Sequence, residues 1–297
     1  MTVLTRRRFL SITAASAALP AMAATPLTAT WRGNAMGAKV SMKLAGLSQE
    51  AAAPIFHAVE AELSRLEGIF SLYRTESQLS QLNREGILHV PAPELLQVLS
   101  LSDRLNTASN GAFDPTIQTL WMATARGETG KDLDAARKLV GWQEVQFDTS
   151  AARLSKPGQA LTLNGIAQGY ITDRIAALLK RHQLQNVLLD MGEVAALGQS
   201  NTGVWSVGIA APDGAIVKRL QMQDRALATS APMGTPLGSA GHILSPQGQG
   251  TQRALVSVSA DQAAVADGLS TTLCLLDEEA GASLVASFPN AKVEVSV

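Results

Sequence analysis

The stretch Leu161-Thr-Leu-Asn-Gly-Ile-Ala-Gln-Gly-Tyr-Ile-Thr-Asp-Arg174 joins an apolar extended run, Ala160–Leu163, to a helix expected from about Ile166 to Arg181. Its glycines, 165 and 169, let the backbone approach a ligand closely, and such seams often cradle phosphates. Yet it has neither the lysine of a P-loop nor the spacing of a dinucleotide fingerprint. The flanking elements also argue against a doubly wound sheet. Upstream, short strands are expected at Thr28–Trp31 and Lys39–Leu44, around Gly33-Asn-Ala-Met-Gly37, and later at Glu144–Phe147 and Arg153–Ser155. Gln49–Phe70 reads as a long amphipathic helix with Ile55, Val59, Leu63 and Leu66 on one stripe. Ser48 can cap it, and Pro54 lies in its first turns, where proline does least harm. Glu94–Ala108 and Asp132–Val140 read as further helices, the latter stopped by Gly141. Downstream come strands at Val187–Leu189, Val204–Ile209, Val217–Met222 and Ala254–Ser259. A helix from about Gln262 to Leu276, a second helix and a last strand, Lys292–Val297, follow. No βαβ period organises this order, so the expected class is α+β with mixed or antiparallel sheets.

The chain has 297 residues, 46% of them hydrophobic and 16% charged, which suits a folded core and excludes a disordered chain. With 24 basic and 25 acidic residues and no basic stripe, nucleic-acid binding has no support. Thr5-Arg6-Arg7-Arg8-Phe9-Leu10, the short apolar run Ile12–Leu19 and Ala21-Met22-Ala23 read as a twin-arginine export signal over residues 1–23. That run is too short to span a bilayer, which needs about 20 residues. Residues 24–297 are expected as one exported periplasmic domain with 21 basic and 25 acidic residues. Cys274 is the only cysteine, so no internal disulfide forms and no lipid-acceptor cysteine follows the signal. In Leu273-Cys-Leu-Leu276 it reads as a small buried hydrophobe.

Asp267 and Thr271 fall at i and i+4 of one helix and so share a face. A carboxylate and a hydroxyl one turn apart suit a hard cation such as Mg²⁺. The same pair also fits a first-turn aspartate and a threonine bonding back to its i−4 carbonyl, and spacing alone leaves both readings open. His242, in a Gly/Pro/Ser-rich segment, can serve as a general base near neutral pH or simply be solvated. Tyr73 can stack on an aromatic ligand or pack at a helix end.

The ordered series is more specific than its parts. Met36-Gly37, Ser71-x-Tyr73, Ser77-x-Leu79-Ser80-x-Leu82-Asn83, Ala112-Phe-Asp-Pro-Thr116, Gly165-Ile-Ala-x-Gly-Tyr170, Asp190-x-Gly192, Ala228-Thr-Ser230, His242-Ile243-x-x-Pro246, Val256-Ser-Val258 and Ala266-Asp-Gly-Leu-Ser-Thr271 occur in register from about Thr28 to the C-terminus. This series resembles the FAD:protein FMN transferase family of periplasmic, Mg²⁺-dependent enzymes. The resemblance implies an α+β domain with an FAD groove between two lobes. It also implies transfer of FMN from FAD to a threonine hydroxyl of a partner protein, with release of AMP. Met36, Tyr73, Ala112, Phe113, Asp114, Thr162, Gln168 and Leu244 would contact FAD. Mg²⁺ would be held by the Gly165 carbonyl, Asp267, the Ser270 carbonyl and the Thr271 hydroxyl. His242 would help deprotonate the acceptor, which family analogy makes a periplasm-facing electron-transfer subunit or exported flavoprotein.

The likeness thins at the opening stretch. Thr162, Asn164 and Gln168 stand where the family usually has aspartate, glycine and lysine. Ser245 replaces an aspartate before Pro246, Ala38 a frequent threonine and Ala231 a glycine. Losing a charged hydrogen bond at 168 weakens a phosphate contact by about 1.5–3 kcal/mol. Two further readings therefore accompany the transferase: a flavin-binding or delivery protein with little turnover, and an Mg²⁺-dependent FAD diphosphatase giving FMN and AMP.

Overall fold

The structure, a computed structural model, describes residues 27–237 and 240–297; the export segment expected at 1–23 lies outside them. The first half runs β1 (Thr28–Ala35), β2 (Ala38–Ala45), α1 (Gln49–Phe70), α2 (Gln78–Glu85), β3 (Ile87–His89), α3 (Pro93–Ala108), α4 (Gln118–Ala125), α5 (Gly130–Arg137), β4 (Gln146–Phe147) and β5 (Ala151–Arg153). There follow α6 (Ala167–Arg181), β6 (Val187–Asp190), β7 (Val194–Leu197), β8 (Trp205–Ala210), β9 (Ile216–Met222) and β10 (Arg225–Ser230). The chain closes with β11 (Pro236–Leu237), β12 (Ala240–Gly241), β13 (Val256–Ala260), α7 (Ala263–Leu273), α8 (Glu278–Ala286) and β14 (Lys292–Ser296). No described helix is long and apolar enough to cross a membrane.

Seven strands form one antiparallel sheet, ordered β1-β2-β6-β7-β10-β13-β14. Successive side chains point to opposite faces, and the sheet has a core on each. Val40, Met42 and Leu44 of β2, Val187 and Leu189 of β6, and Val256 and Val258 of β13 join the main core with residues of α1, α3, α6 and α7. Their neighbours Ala45, Leu188, Ala196, Leu227 and Val295 face the other way, onto Trp205, Val207, Ile209 and Met222 of the β8–β9 hairpin. The result is helices, sheet and hairpin in three layers, the α+β class with antiparallel sheets. A small sheet, β3-β5-β4, and the ribbon β11-β12 flank it. On α4 and α5, Leu120, Ala123 and Ala136 make a third small cluster.

Local chemistry explains several elements. Ser48 caps α1 by accepting from Ala51 N at 3.2 Å, as its position predicts. The stripe Val59, Leu63 and Leu66 is buried, while Ile55 is half-buried. Pairing of Ala35 with Ala38 leaves Met36-Gly37 as a two-residue turn, with φ of +50° and +79°. That is the left-handed geometry favoured by hairpin twist, so the expected loop at 33–37 is mostly strand.

Three expectations need correction. Ala160–Leu163 is not a strand, because no neighbouring strand offers it a ladder. Instead the Asn83 amide side chain binds the Leu161 amide at 2.7 Å and carbonyl at 2.8 Å, and Thr162 N donates to Pro115 O at 2.8 Å. The strand expected at Arg153–Ser155 pairs two residues earlier, over Ala151–Arg153. The central strands β7 and β10 and the helix α4 have no counterpart in the sequence reading.

Candidate functional site

The site grows from the crossing of α6 and α7. Asp173, on α6, caps α7 from a distance: its carboxylate accepts from Ala263 N at 2.7 Å and Ala264 N at 3.0 Å. Burial pushes its carboxyl up to about 6, against the pull of those two amides. Gly169 makes the crossing possible, because a Cβ there would lie 2.4 Å from the Ala263 carbonyl oxygen. The same contact brings the free first-turn amide of Gly169 to Asp267 Oδ2 at 3.0 Å. Asp267 is only 3% exposed. Burial raises its carboxyl, the Gly169 amide opposes that, and the Asp173 charge adds to it.

One turn on, Thr271 faces Gly165. A Cβ on Gly165 would sit 2.9 Å from Thr271 Cγ2 and 3.1 Å from its Oγ1, so the Thr271 side chain occupies the space a side chain at 165 would fill. Thr272, rather than Thr271, makes the back-bond to its i−4 carbonyl, at 2.5 Å on Gly268 O. Thr271 Oγ1 instead lies 3.2 Å from Ser230 Oγ, which is also 2.8 Å from Ser270 Oγ. At the end of α7 the Cys274 amide donates to Thr272 O, and the Ser270 carbonyl accepts from the weak Cys274 thiol at 3.3 Å. Cys274 is fully buried, as expected, and burial pushes its thiol up to about 12. Gly165, Asp267, Ser270 and Thr271 thus gather around one oxygen-rich spot, a donor set that fits a hard divalent cation.

His242 hangs on the other side of the same segment. Its amide and its Nδ1 both lie 2.9 Å from Pro232 O, two residues beyond Ser230. A carbonyl only accepts, so Nδ1 carries the proton and Nε2 of the neutral ring keeps its lone pair. Trp121 Nε1 donates to the His242 carbonyl at 3.1 Å, tying this loop to α4. Leu244 packs with Leu120, Ala123 and Ala136 in the α4–α5 cluster.

The remaining expected FAD contacts fall in three groups. At the β1–β2 tip, Met36 donates its amide to Glu67 Oε1 at 2.8 Å, and Glu67 is ion-paired to Arg74. Tyr73 stands by that turn, its ring 3.8 Å from where a Gly37 Cβ would be, and is 80% exposed. In the second group, Ala112 and Phe113 are buried, with the Phe113 ring in the main core. Asp114 accepts from Thr116 N at 2.8 Å and Trp142 N at 3.1 Å, and burial raises its carboxyl. Oδ1 of Asp114 therefore serves its own turn, and Oδ2 ties that turn to Trp142, 28 residues on. Thr162 is stitched to this turn through Pro115 O, and its Oγ1 accepts from Asn164 N at 3.3 Å. Gln168 lies over Gly192, where an added Cβ would be 2.8 Å from its Nε2.

Ser230, Asp173 and Asn83 complete the site without having been singled out as site residues. Ser230 falls in an ordinary Ala-Thr-Ser run, and Asp173 reaches α7 across 90 residues of chain. Neither spacing leaves a local signal.

A model of the ApbE family matches residues 36–295. The FAD:protein FMN transferase of Klebsiella pneumoniae is 29% identical over 189 residues, 60% of this chain and 57% of that protein. The chain thus spans just over half the length of that relative. The Haemophilus influenzae protein of the same name is 28% identical over 249 residues, 74% of this chain and 72% of its own. Among solved structures, the flavin transferase ApbE from Vibrio cholerae superposes with a TM-score of 0.80 at 24% identity, over 91% of this chain and 93% of that one. The apo flavinyl transferase ApbE of Pseudomonas stutzeri gives 0.77 at 27% identity, covering 88% of each chain. With nearly its whole described length matched by the family model, the chain belongs to the ApbE family.

Proposed function

We propose that this chain is an FAD:protein FMN transferase, and that it acts with Mg²⁺ on a threonine hydroxyl of a partner protein. The observation carrying the reading is the contact of Gly165 with Thr271, one turn along α7 from the buried Asp267 and next to the Ser230–Pro232 segment that holds His242. In the reaction, the threonine oxygen attacks the FMN phosphorus of FAD. The bond from that phosphorus to the bridging oxygen breaks, and AMP leaves. His242 Nε2 takes the hydroxyl proton, while Pro232 O holds the ring by its Nδ1–H. A divalent cation on the four oxygen donors would neutralise charge developing on the diphosphate. Main chain at 112–114, with Met36 and Tyr73, would orient the flavin and adenine ends. The acceptor is proposed as a periplasm-facing electron-transfer subunit or exported flavoprotein. Residues 1–23 would be its twin-arginine signal, leaving 24–297 as the periplasmic domain.

Incubation with FAD, Mg²⁺ and a threonine-bearing acceptor tests the reading by chromatography of AMP. AMP formed only with the acceptor supports transfer. AMP and free FMN formed without it indicate an FAD diphosphatase. Retained flavin with no AMP indicates a binding or delivery protein, a reading favoured by the uncharged Gln168 and Thr162 beside the cation site.

A further inference from the structure

One side chain ties the hairpin tip that carries Met36 to the turn that carries Tyr73. Glu67, in the last turn of α1, accepts the Met36 amide on Oε1 at 2.8 Å, across 31 residues of chain. Its Oε2 is ion-paired to Arg74 Nη2, and its carbonyl accepts from Ser71 N at 3.1 Å. Ser71 Oγ in turn accepts from Tyr73 N and Arg74 N, each at 3.1 Å. The other side of the guanidinium is held too, since Arg74 Nη1 donates to Ser64 O at 3.3 Å. The tip and the turn are thus fixed to the same end of α1.

The two side chains so placed differ in kind. Met36 has a φ of +50°, uncommon outside glycine, and its thioether packs half-buried on the main core. Tyr73 stands beside that tip and, at 80%, is the most exposed large hydrophobic side chain among the described residues. An aromatic ring held in water next to a polarisable thioether offers a flat ring system both stacking and apolar contact. The Glu67–Arg74 pair is itself partly exposed, and such pairs add little to the stability of a fold. Its effect falls on where the tip and the turn stand.

We propose that Glu67 is a positioning residue for the flavin ring, presetting Met36 and Tyr73 as one contact surface for the isoalloxazine of FAD. The inference rests on the flavin-nucleotide reading above. Order present before binding need not be imposed by the ligand, so it is read as affinity for the flavin end.

The test titrates FMN into the protein and follows quenching of flavin fluorescence, in a double-mutant cycle of Glu67 and Tyr73. Glu67→Ala should weaken FMN binding about tenfold. In a Tyr73→Ala background the same change should cost only about twofold, because the surface it positions is already gone. Glu67→Gln still accepts the Met36 amide but turns an N–H toward Arg74. It should give a milder form of the same pattern, and it replaces Glu67→Ala if that variant unfolds. In turnover, the KM for FAD should rise while kcat stays at the wild-type value. Wild-type FMN affinity in both Glu67 variants overturns the inference. An equal loss with and without Tyr73 overturns it too, because a general structural effect would ignore that side chain. So does a wild type that binds no FMN. A coupled loss of FMN binding in a protein that releases no AMP leaves the inference standing and removes the transferase reading.

Discussion

Replacing Gly169 by alanine should destabilise the protein, although alanine is the better helix former by about 1 kcal/mol. The added Cβ would lie 2.4 Å from Ala263 O, 2.6 Å from Ala263 C and 2.7 Å from Ala264 Cα. All three are backbone atoms, so no side chain can swing away. Ordinary contact begins at 3.4 Å, so α6 and α7 must separate by about 1 Å, an overpacking that costs about 1–3 kcal/mol. The same shift stretches the 3.0 Å bond from Gly169 N to Asp267. Losing this charge-assisted bond contributes about 1.5–3 kcal/mol, not fully additive with the first. Net of the propensity gain, a loss of about 2 kcal/mol lowers Tm by about 4–8 °C in a domain of this size. Differential scanning calorimetry reads that shift, and an Mn²⁺ titration reads the displaced Asp267 as weaker binding. A Gly169→Ala protein that melts at or above the wild-type temperature would refute the helix-crossing argument.

Asp173→Asn turns one acceptor of the α7 cap into a donor facing an amide, and should cost about 0.5–2 kcal/mol by urea unfolding at neutral pH. The pH dependence has a definite sign. The folded Asp173 carboxyl is raised from 3.8 to about 6, so the folded state binds the proton more tightly. Its contribution to stability is full below about 4 and falls as pH rises toward 6. The variant should show a shallower decline over that window, and a parallel slope in the two proteins would contradict the assignment. Asn83→Ala removes both partners of Leu161 and should lower stability by about 2 kcal/mol, together with flavin affinity in a fluorescence titration. An unchanged Tm there would mean that the 160–163 run is held by something else. His242→Ala should slow flavin transfer by about 10²–10⁴-fold while Mn²⁺ affinity stays at the wild-type value.

The helices that bury a stripe are legible in the sequence, as Val59, Leu63 and Leu66 of α1 illustrate, because a 3.6-residue period needs no tertiary partner to be seen. The centre of the sheet is not. β7 reads Val-Ala-Ala-Leu and β10 reads Arg-Ala-Leu-Ala-Thr-Ser, and alanine is depleted in strands. Alanine is present because both faces are covered: Ala195 and Ala228 lie under the helices, and Ala196 faces the β8–β9 hairpin. The opposite error occurs at Ala160–Leu163, where alternating apolar residues resemble a strand but Asn83 supplies the hydrogen bonds. In the site, the i, i+4 pair Asp267 and Thr271 is visible from spacing, although only the crossing with Gly165 and Ser230 separates a ligand geometry from a simple back-bond. Asp173 acts across 90 residues of chain and is silent until α6 and α7 meet.

The most direct test of the central claim is the intact mass of a threonine-bearing acceptor after incubation with FAD, Mg²⁺ and either the wild type or Asp267→Asn. The wild type should add one FMN phosphoryl group, with equimolar AMP, and Asp267→Asn none. An acceptor left unmodified by the wild type, or modified equally by Asp267→Asn, would contradict it.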